Sequence, residues 1–458
     1  MDLRVLKDAV PGDVLRLCRT LQRAGHRSWV VGGCVRDLLL APEGSADSIR
    51  NDWDIATDAR PEQVQKLFRK VIPTGIKHGT VTVLLSGVGY EVTTLRGETT
   101  YSDGRRPDQV YFVDDIRADL ARRDFTVNAI AYDPLEEQLI DPFGGASDLE
   151  RRLLRAVGVA KERFDEDGLR VLRAARFVAS LGMTLETQTA AAIRPSLDTY
   201  RKVSPERIRD EWMKTLKTEQ PSRGFQVMLE HGMLEVSVPE LFSCADFESG
   251  HARLSGPIWD HLMRVVDACP ADPVLRTAAL LHDVGEPRLE ATDDARIHAA
   301  LGATIADDVC SRLRFSNAER ERVVALVRHH VIEYRKLEDG PTLRRWLRAV
   351  GVDVLPQLWE LARADYLASS AVPGMAGWPP DLWQLREHVE RELAAGVVLS
   401  TRDLAVGGKD LMQALGLAPG KHLGLLLDQL LDHVTDEPSL NRKGPLLDLA
   451  RKLAAEAG

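Results

Sequence analysis

The stretches WVVGGCVRDLLL (residues 29–40) and NDWDIATDA (residues 51–59) decide how the N-terminal part of this chain folds. The first reads as a short apolar strand, Ser28–Val31, a Gly32-Gly33 turn, and a helix opening on Cys34-Val35-Arg36-Asp37. The second contains a strand, WDIAT, with Asp52 and Asp54 two positions apart. Strand alternation puts both carboxylates on one face. Such a pair suits two Mg²⁺ ions about 3.5–4 Å apart, the arrangement used for in-line phosphoryl displacement. A lone D-x-D is usually a solvated strand end, but the preceding turn changes its meaning. Glycines let the backbone approach a phosphate, and a helix N-terminus offers free N–H groups and a positive dipole end. Arg36, on the first turn, adds a guanidinium fork for a triphosphate.

Outward from this core, residues 11–24 read as an amphipathic helix and 61–69 as a helix after Pro61. VTVLL (81–85) and YEVTTL (90–95) alternate and are β-branched, so they are expected to pair as strands. Residues 97–109, rich in Gly and polar groups, read as a loop. From residue 148 the pattern turns helical, with amphipathic helices expected over 164–182 and 204–217 and a His-rich helical block over 255–368. Pro and Gly in 369–381 mark a linker, and the remainder is helical with a turn at Gly407-Gly408.

At 458 residues the chain exceeds one ordinary core, and two to four domains are expected. No apolar run is long enough to cross a membrane. The N-terminus mixes charges from the start, which makes the cytoplasm the expected compartment. Five scattered cysteines (Cys18, Cys34, Cys244, Cys269, Cys310) form no C-x-x-C pair, against a disulfide framework or zinc ribbon. A net charge of −9 does not by itself favour a nucleic-acid partner. Arginines nevertheless cluster locally, at 105–106, 122–123, 151–155 and 170–176, and local clusters decide a groove.

One further pair bears on nucleotide choice. On a continuous helix, Asp167 and Arg170 stand at i and i+3 and share a face. A carboxylate only accepts hydrogen bonds and a guanidinium only donates. Cytosine and adenine each present an amino donor beside a ring-nitrogen acceptor, so one Asp–Arg pair complements both. Uracil and guanine reverse that order and leave groups unpaired, a mismatch that discriminates by about 10⁴. The alternative is an ordinary surface ion pair. Glu91, opening YEVTTLR, reads equally as a third metal carboxylate or an exposed strand end.

The ordered motifs resemble those of class II tRNA nucleotidyltransferases and bacterial poly(A) polymerases, within the polymerase β superfamily. WVVGGCVRDLLL and NDWDIATDA are similar to the family's head motif. Arg122-Arg123-Asp124 in RRDFTVNAIAYD, DPFGGASDLERRLLR (141–155), EDGLRVLRAARF (166–177) and SPERIRDEWMKTL (204–216, with Arg207 and Glu211) follow in the family's order. The resemblance implies an α+β chain: a polymerase β-like nucleotidyltransferase head (1–145), then all-α regions. Those regions are a neck and body that recognise the base (146–250), an HD domain (251–368) and a helical tail for RNA contact (382–458). It implies Asp52 and Asp54 as catalytic metal ligands. It also implies Gly32, Gly33, Arg36, Arg122, Asp167, Arg170, Arg173 and Arg176 as the nucleotide site, with Glu166 supporting the helix.

The His-rich block resembles the HD phosphohydrolase domain. His261, His282, Asp283 and Asp365 make up its metal set, and His298 matches its next histidine; His329-His330 adds a further pair. An H…HD…D set on helices suits a divalent metal. Glu286 and Ala299 stand where Lys and Glu are usual, which weighs against hydrolysis more than against metal binding.

The expected function is therefore addition of CCA to tRNA 3′ ends from CTP and ATP, with Mg²⁺ at the head and a further divalent metal at the HD site. Poly(A) synthesis or addition of A alone are the alternatives within the family. A metal phosphohydrolase and a non-catalytic RNA-binding protein are those outside it. By the same resemblance, the full-length loop over 97–109 implies an enzyme able to add the terminal A.

Overall fold

A computed structural model describes residues 4–41, 53–76, 79–98, 110–248, 257–289, 295–369 and 378–456. It divides into two compact units, Met1–Phe242 and Ser243–Gly458. Mixed sheet and helix at the N-terminal end give way to helices, as the α+β expectation has it.

The first unit is built on β1 (Ser28–Val31), β2 (Asp54–Thr57), β3 (Val71–Gly75), β4 (Thr80–Leu85), β5 (Val88–Thr94), β6 (Arg96–Glu98), β7 (Val110–Phe112), β8 (Ala131–Asp133) and β9 (Gln138–Ile140). Seven of these form one sheet in the order β3-β4-β5-β2-β1-β8-β9. The expected β4–β5 hairpin is present, with Val81 opposite Val92 and Val83 opposite Tyr90. All four residues of β1 are buried. Trp29, Val31, Ala56, Leu95, Leu120 and Ala131 form a core beneath the sheet. β6 and β7 pair separately, so Gly97 and Glu98 of the expected loop belong to a strand; 99–109 lie outside the described residues. Helices follow from Gly145–Glu150 onward. Gly145 is obligatory there, because a Cβ would lie 2.1 Å from the Thr126 carbonyl oxygen.

In the second unit, Ile258–Ala268, Pro273–Leu281, Ala295–Arg312, Asn317–His329 and Leu355–Ser369 carry the histidine motifs. Their starts have local causes. Asp272 accepts from the Val274 and Leu275 N–H groups ahead of Pro273, and Ser316 with Glu319 forms a capping box. The C-terminal helices enclose their own core around Leu411, Leu430, Val434 and Leu446. The buried Arg344 guanidinium donates to the Thr435 carbonyl at 2.6 Å. Among the described residues, no helix is long and apolar enough to cross a membrane.

Candidate active site

β1 ends at Val31, and Gly32 turns the chain with φ 82°, a conformation that disfavours side chains. A Cβ at Gly32 would lie 3.2 Å from Arg123 Nη1 and 3.6 Å from Asp54 Oδ2. The helix Gly33–Leu40 starts at once, so its unpaired N–H groups open beside a carboxylate. Asp54 opens β2, registered against Val31 on one side and Glu91 on the other. Registered neighbours on adjacent strands share a sheet face, and Asp54 and Glu91 line one cavity of about 690 Å³ with Gly32, Gly33 and Arg36. Asp52 lies outside the described residues. Carboxylate oxygens at a cavity edge are the donors that Mg²⁺ prefers.

The other walls of this cavity are arginine-rich. Arg36 pairs with Asp37 at 2.7 Å and donates to Asn128 Oδ1 at 2.6 Å. The Asn128 amide donates onward to Asp124 Oδ1 at 3.0 Å, and Arg173 Nε donates to Asp124 Oδ2 at 2.8 Å. Burial would raise the Asp124 carboxyl, but the Arg173 guanidinium and the Asn128 amide outweigh it and hold Asp124 at about 2. Burial likewise pushes Asp119 up, and Arg122 and Arg123 bring it below its ordinary value. The Arg36, Arg173 and Arg176 guanidinium carbons lie 5.4, 5.2 and 4.0 Å from the Phe177 ring centre, within cation–π range. Arg176 also pairs with the buried Glu211 at 2.5 Å.

The helix expected over 164–182 is in fact two, Ala160–Glu166 and Leu169–Leu181. Asp167 between them is extended (φ −142°, ψ 106°), so it does not share a helical face with Arg170. The cause is Gly168, which crosses so close to the chain at Thr199 that a Cβ would lie 2.4 Å from that carbonyl oxygen. Asp167 then accepts from the Leu169 N–H at 3.0 Å, starting the next helix. Asp167 and Arg170 nevertheless line the same cavity. Each is held by another partner: Arg207 donates to Asp167 at 2.7 Å, and Arg170 donates to Glu166 at 2.6 Å and to the Arg122 carbonyl at 2.9 Å. Glu166 thus fixes the Arg170 guanidinium.

In the second unit, six side chains converge. His261 Nε2 is 3.1 Å from Asp365 Oδ1 and 3.2 Å from His282 Nε2. His282 Nε2 is 3.2 Å from Asp283 Oδ2. The other carboxylate oxygen, Asp283 Oδ1, faces His298 Nε2 at 3.4 Å and His330 Nε2 at 3.3 Å. The imidazoles and Asp283 are buried, while the Asp365 side chain is 35% exposed and marks the open edge. Burial alone would lower the His282 imidazole, but the adjacent Asp283 charge carries it up to about 9, and Asp283 is held well below the carboxylate range. This donor set has the composition of a divalent-metal site.

The chain is 34% identical to the CCA-adding enzyme of Lactiplantibacillus plantarum over 439 residues, 96% of this chain and 95% of that one. It belongs to the CCA-adding enzyme family. The CCA-adding enzyme of Ligilactobacillus salivarius is 32% identical over 445 residues, 96% of each chain. The crystal structure of the Bacillus stearothermophilus CCA-adding enzyme in complex with CTP superposes with a TM-score of 0.68 at 28% identity, covering 97% of each chain. Three family descriptions match in order: "Poly A polymerase head domain" over residues 28–155, "Probable RNA and SrmB- binding site of polymerase A" over 182–244, and "HD domain" over 261–369. As a nucleotidyltransferase of the CCA-adding family, the chain uses a divalent metal.

Within this CCA-adding family member, the head match takes in Gly32, Asp54, Glu91 and Asp124, while Asp167 and Arg170 fall between matched segments. Sequence reasoning passed over Asn128, which links Arg36 to Asp124. It sits four residues after Asp124, a spacing that signals little outside a regular helix. Phe177 was also missed, although its place one residue after the Arg170, Arg173, Arg176 series was a usable signal. His330 rather than His329 enters the histidine cluster, and sequence alone did not choose between them.

Proposed function

We propose that this chain adds C and A residues to the 3′ end of tRNA from CTP and ATP, completing CCA without a nucleic-acid template. One observation carries the reading: a single cavity joins the Asp54 and Glu91 carboxylates, the Gly32-Gly33 helix start and the Asp167–Arg170 pair. In this reading the helix N–H groups and Arg36 bind the triphosphate, and Asp167 with Arg170 orients the base. Arg122, Arg173 and Arg176 line the same nucleotide pocket. The RNA 3′-hydroxyl attacks the α-phosphate, the bond to the β-phosphate oxygen breaks, and pyrophosphate leaves. Asp52, Asp54 and Glu91 would hold two Mg²⁺ ions, which supply a more acidic attacking hydroxyl and charge neutralisation on the leaving group. Similarity to CCA-adding enzymes along nearly their whole length favours this product over poly(A) or a lone A.

The remaining regions are assigned in the same reading. A head over 1–145 performs transfer, a neck and body over 146–250 read the base, and a tail over 382–458 contacts RNA in the cytoplasm. The region 251–368 holds a divalent metal through His261, His282, Asp283 and Asp365. Its phosphohydrolase activity is weak or absent, because Glu286 and Ala299 stand where the resemblance would have Lys and Glu.

Incubating the protein with tRNA lacking its 3′ end, Mg²⁺ and CTP, ATP or both, then sequencing the products, tests the main reading. CC with CTP alone and CCA with both are expected; a long A tract, a single A, or no incorporation would overturn it.

A further inference from the structure

We infer that Asn128 is a positioning residue: its side chain aims the Arg36 guanidinium at the nucleotide triphosphate, and its backbone carbonyl holds Arg123 beside Gly32. This rests on the proposed function, which places the triphosphate at the Gly32-Gly33 helix start. Asn128 ends a short turn, Thr126–Asn128, that the chain fixes from several sides. The Thr126 N–H donates to the Arg155 carbonyl at 2.9 Å, and the Thr126 hydroxyl donates to Asp148 at 2.7 Å. Val127, Ala129 and Ile130 are fully buried around it. A side chain delivered by backbone held in this way is placed with little freedom.

Only one orientation of the buried Asn128 amide fits its neighbours. Asp124, held at about 2, is ionised at neutral pH and only accepts, while Arg36 only donates. The amide nitrogen therefore donates to Asp124 Oδ1 at 3.0 Å, and the amide oxygen accepts from Arg36 Nη1 at 2.6 Å. A neutral oxygen suits this place. It directs Arg36 without cancelling its charge, whereas a carboxylate there would compete with phosphate for the same guanidinium. The ion partner of Arg36, Asp37, is its neighbour in the chain and is partly exposed, so the Asn128 bond is the one that ties the guanidinium to the cavity wall. The second bond comes from the backbone: the Asn128 carbonyl accepts from Arg123 Nη1 at 3.2 Å. A Cβ at Gly32 would lie 3.2 Å from Arg123 Nη1, and one at Gly33 3.5 Å from Arg36 Nη2. One residue thus sets two guanidiniums against the two glycines, at a helix start that already favours an anion.

The test measures KM for CTP and ATP on tRNA lacking its 3′ end, in Asn128→Ala and Asn128→Asp, each alone and combined with Arg36→Ala. Asn128→Asp keeps the shape of the side chain, so it reports even where Asn128→Ala weakens the fold. Each single variant should raise KM for both nucleotides by about tenfold, the weight of one charge-assisted hydrogen bond. Inorganic triphosphate should lose potency as an inhibitor by the same factor. In the Arg36→Ala background neither substitution should raise KM further, because the Asn128 side chain acts through Arg36. The choice of C and A should stay as in the unaltered protein, since Asp167 and Arg170 are untouched. No rise in KM, or an equal rise with and without Arg36, would overturn this role and leave the proposed transfer standing. No transfer by the unaltered protein would overturn both.

Discussion

Asp124 stands where two lines of contact cross, accepting from Asn128 on one oxygen and Arg173 on the other. Its carboxyl sits at about 2 against an ordinary 3.8. A carboxylate lowered in this way contributes stability that is fully present above the unfolded value and disappears as pH falls through the folded one. The window is therefore about pH 4 down to about pH 2, and the contribution is roughly 2 kcal/mol. Asp124→Asn should lower the urea midpoint at pH 7, and the gap to the parent should close as the melts are repeated towards pH 2. A gap that stays constant with pH would remove the charge from the explanation. In the proposed function the site carboxylates behave differently, because there they act on the reaction and not on the fold. Asp54→Ala should cut transfer by about 10³-fold with the melting curve unchanged. Asp167→Ala should keep transfer but admit UTP or GTP at least ~10-fold more readily, read by sequencing added nucleotides. Asp54 was legible from the sequence because strand alternation and the Gly-Gly turn each restrict geometry locally. Asn128 was not singled out, since its partner Arg36 lies 92 residues away and no local period connects them.

At the scale of elements, the break between Ala160–Glu166 and Leu169–Leu181 decides where Asp167 stands. It releases Asp167 from the helix and hands it to Arg207. The sequence hid the break for a physical reason. Phe164, Val171, Ala175 and Val178 are buried on both sides of it at helical spacing, so the helical period runs across unbroken. A single glycine inside such a pattern is tolerated, and only the distant Thr199 backbone makes it necessary. The strand pairings were easier, because VTVLL and YEVTTL alternate and are adjacent in the chain. Gly168→Ala tests the break directly. Its Cβ would meet the Thr199 carbonyl oxygen at 2.4 Å, so the two segments must separate. A loss of about 1–3 kcal/mol in stability is expected, as for other overpacked sites, together with a raised KM for CTP and ATP. Unchanged melting and unchanged KM would mean that the close crossing carries no role.

For the whole molecule, the two compact units, Met1–Phe242 and Ser243–Gly458, hold one candidate site each. Each also has its own core, around Trp29 and Leu120 in the first and around Leu411 and Leu430 in the second. A ligand stabilises only the folded unit that binds it, by about 2.7 kcal/mol at a hundred times its dissociation constant. For units of this size that corresponds to roughly 5–10 °C. Calorimetry should therefore resolve two transitions that answer to different ligands. CTP with Mg²⁺ should raise the first unit's transition alone, and Co²⁺ the second's alone. Asp283→Asn should abolish the Co²⁺ shift while leaving the CTP shift intact, because both Asp283 oxygens face imidazoles of the cluster and Asp283 lines no part of the nucleotide cavity. One transition moved equally by either ligand would mean that the units unfold together, and that the metal cluster stabilises the nucleotide site as well as its own unit.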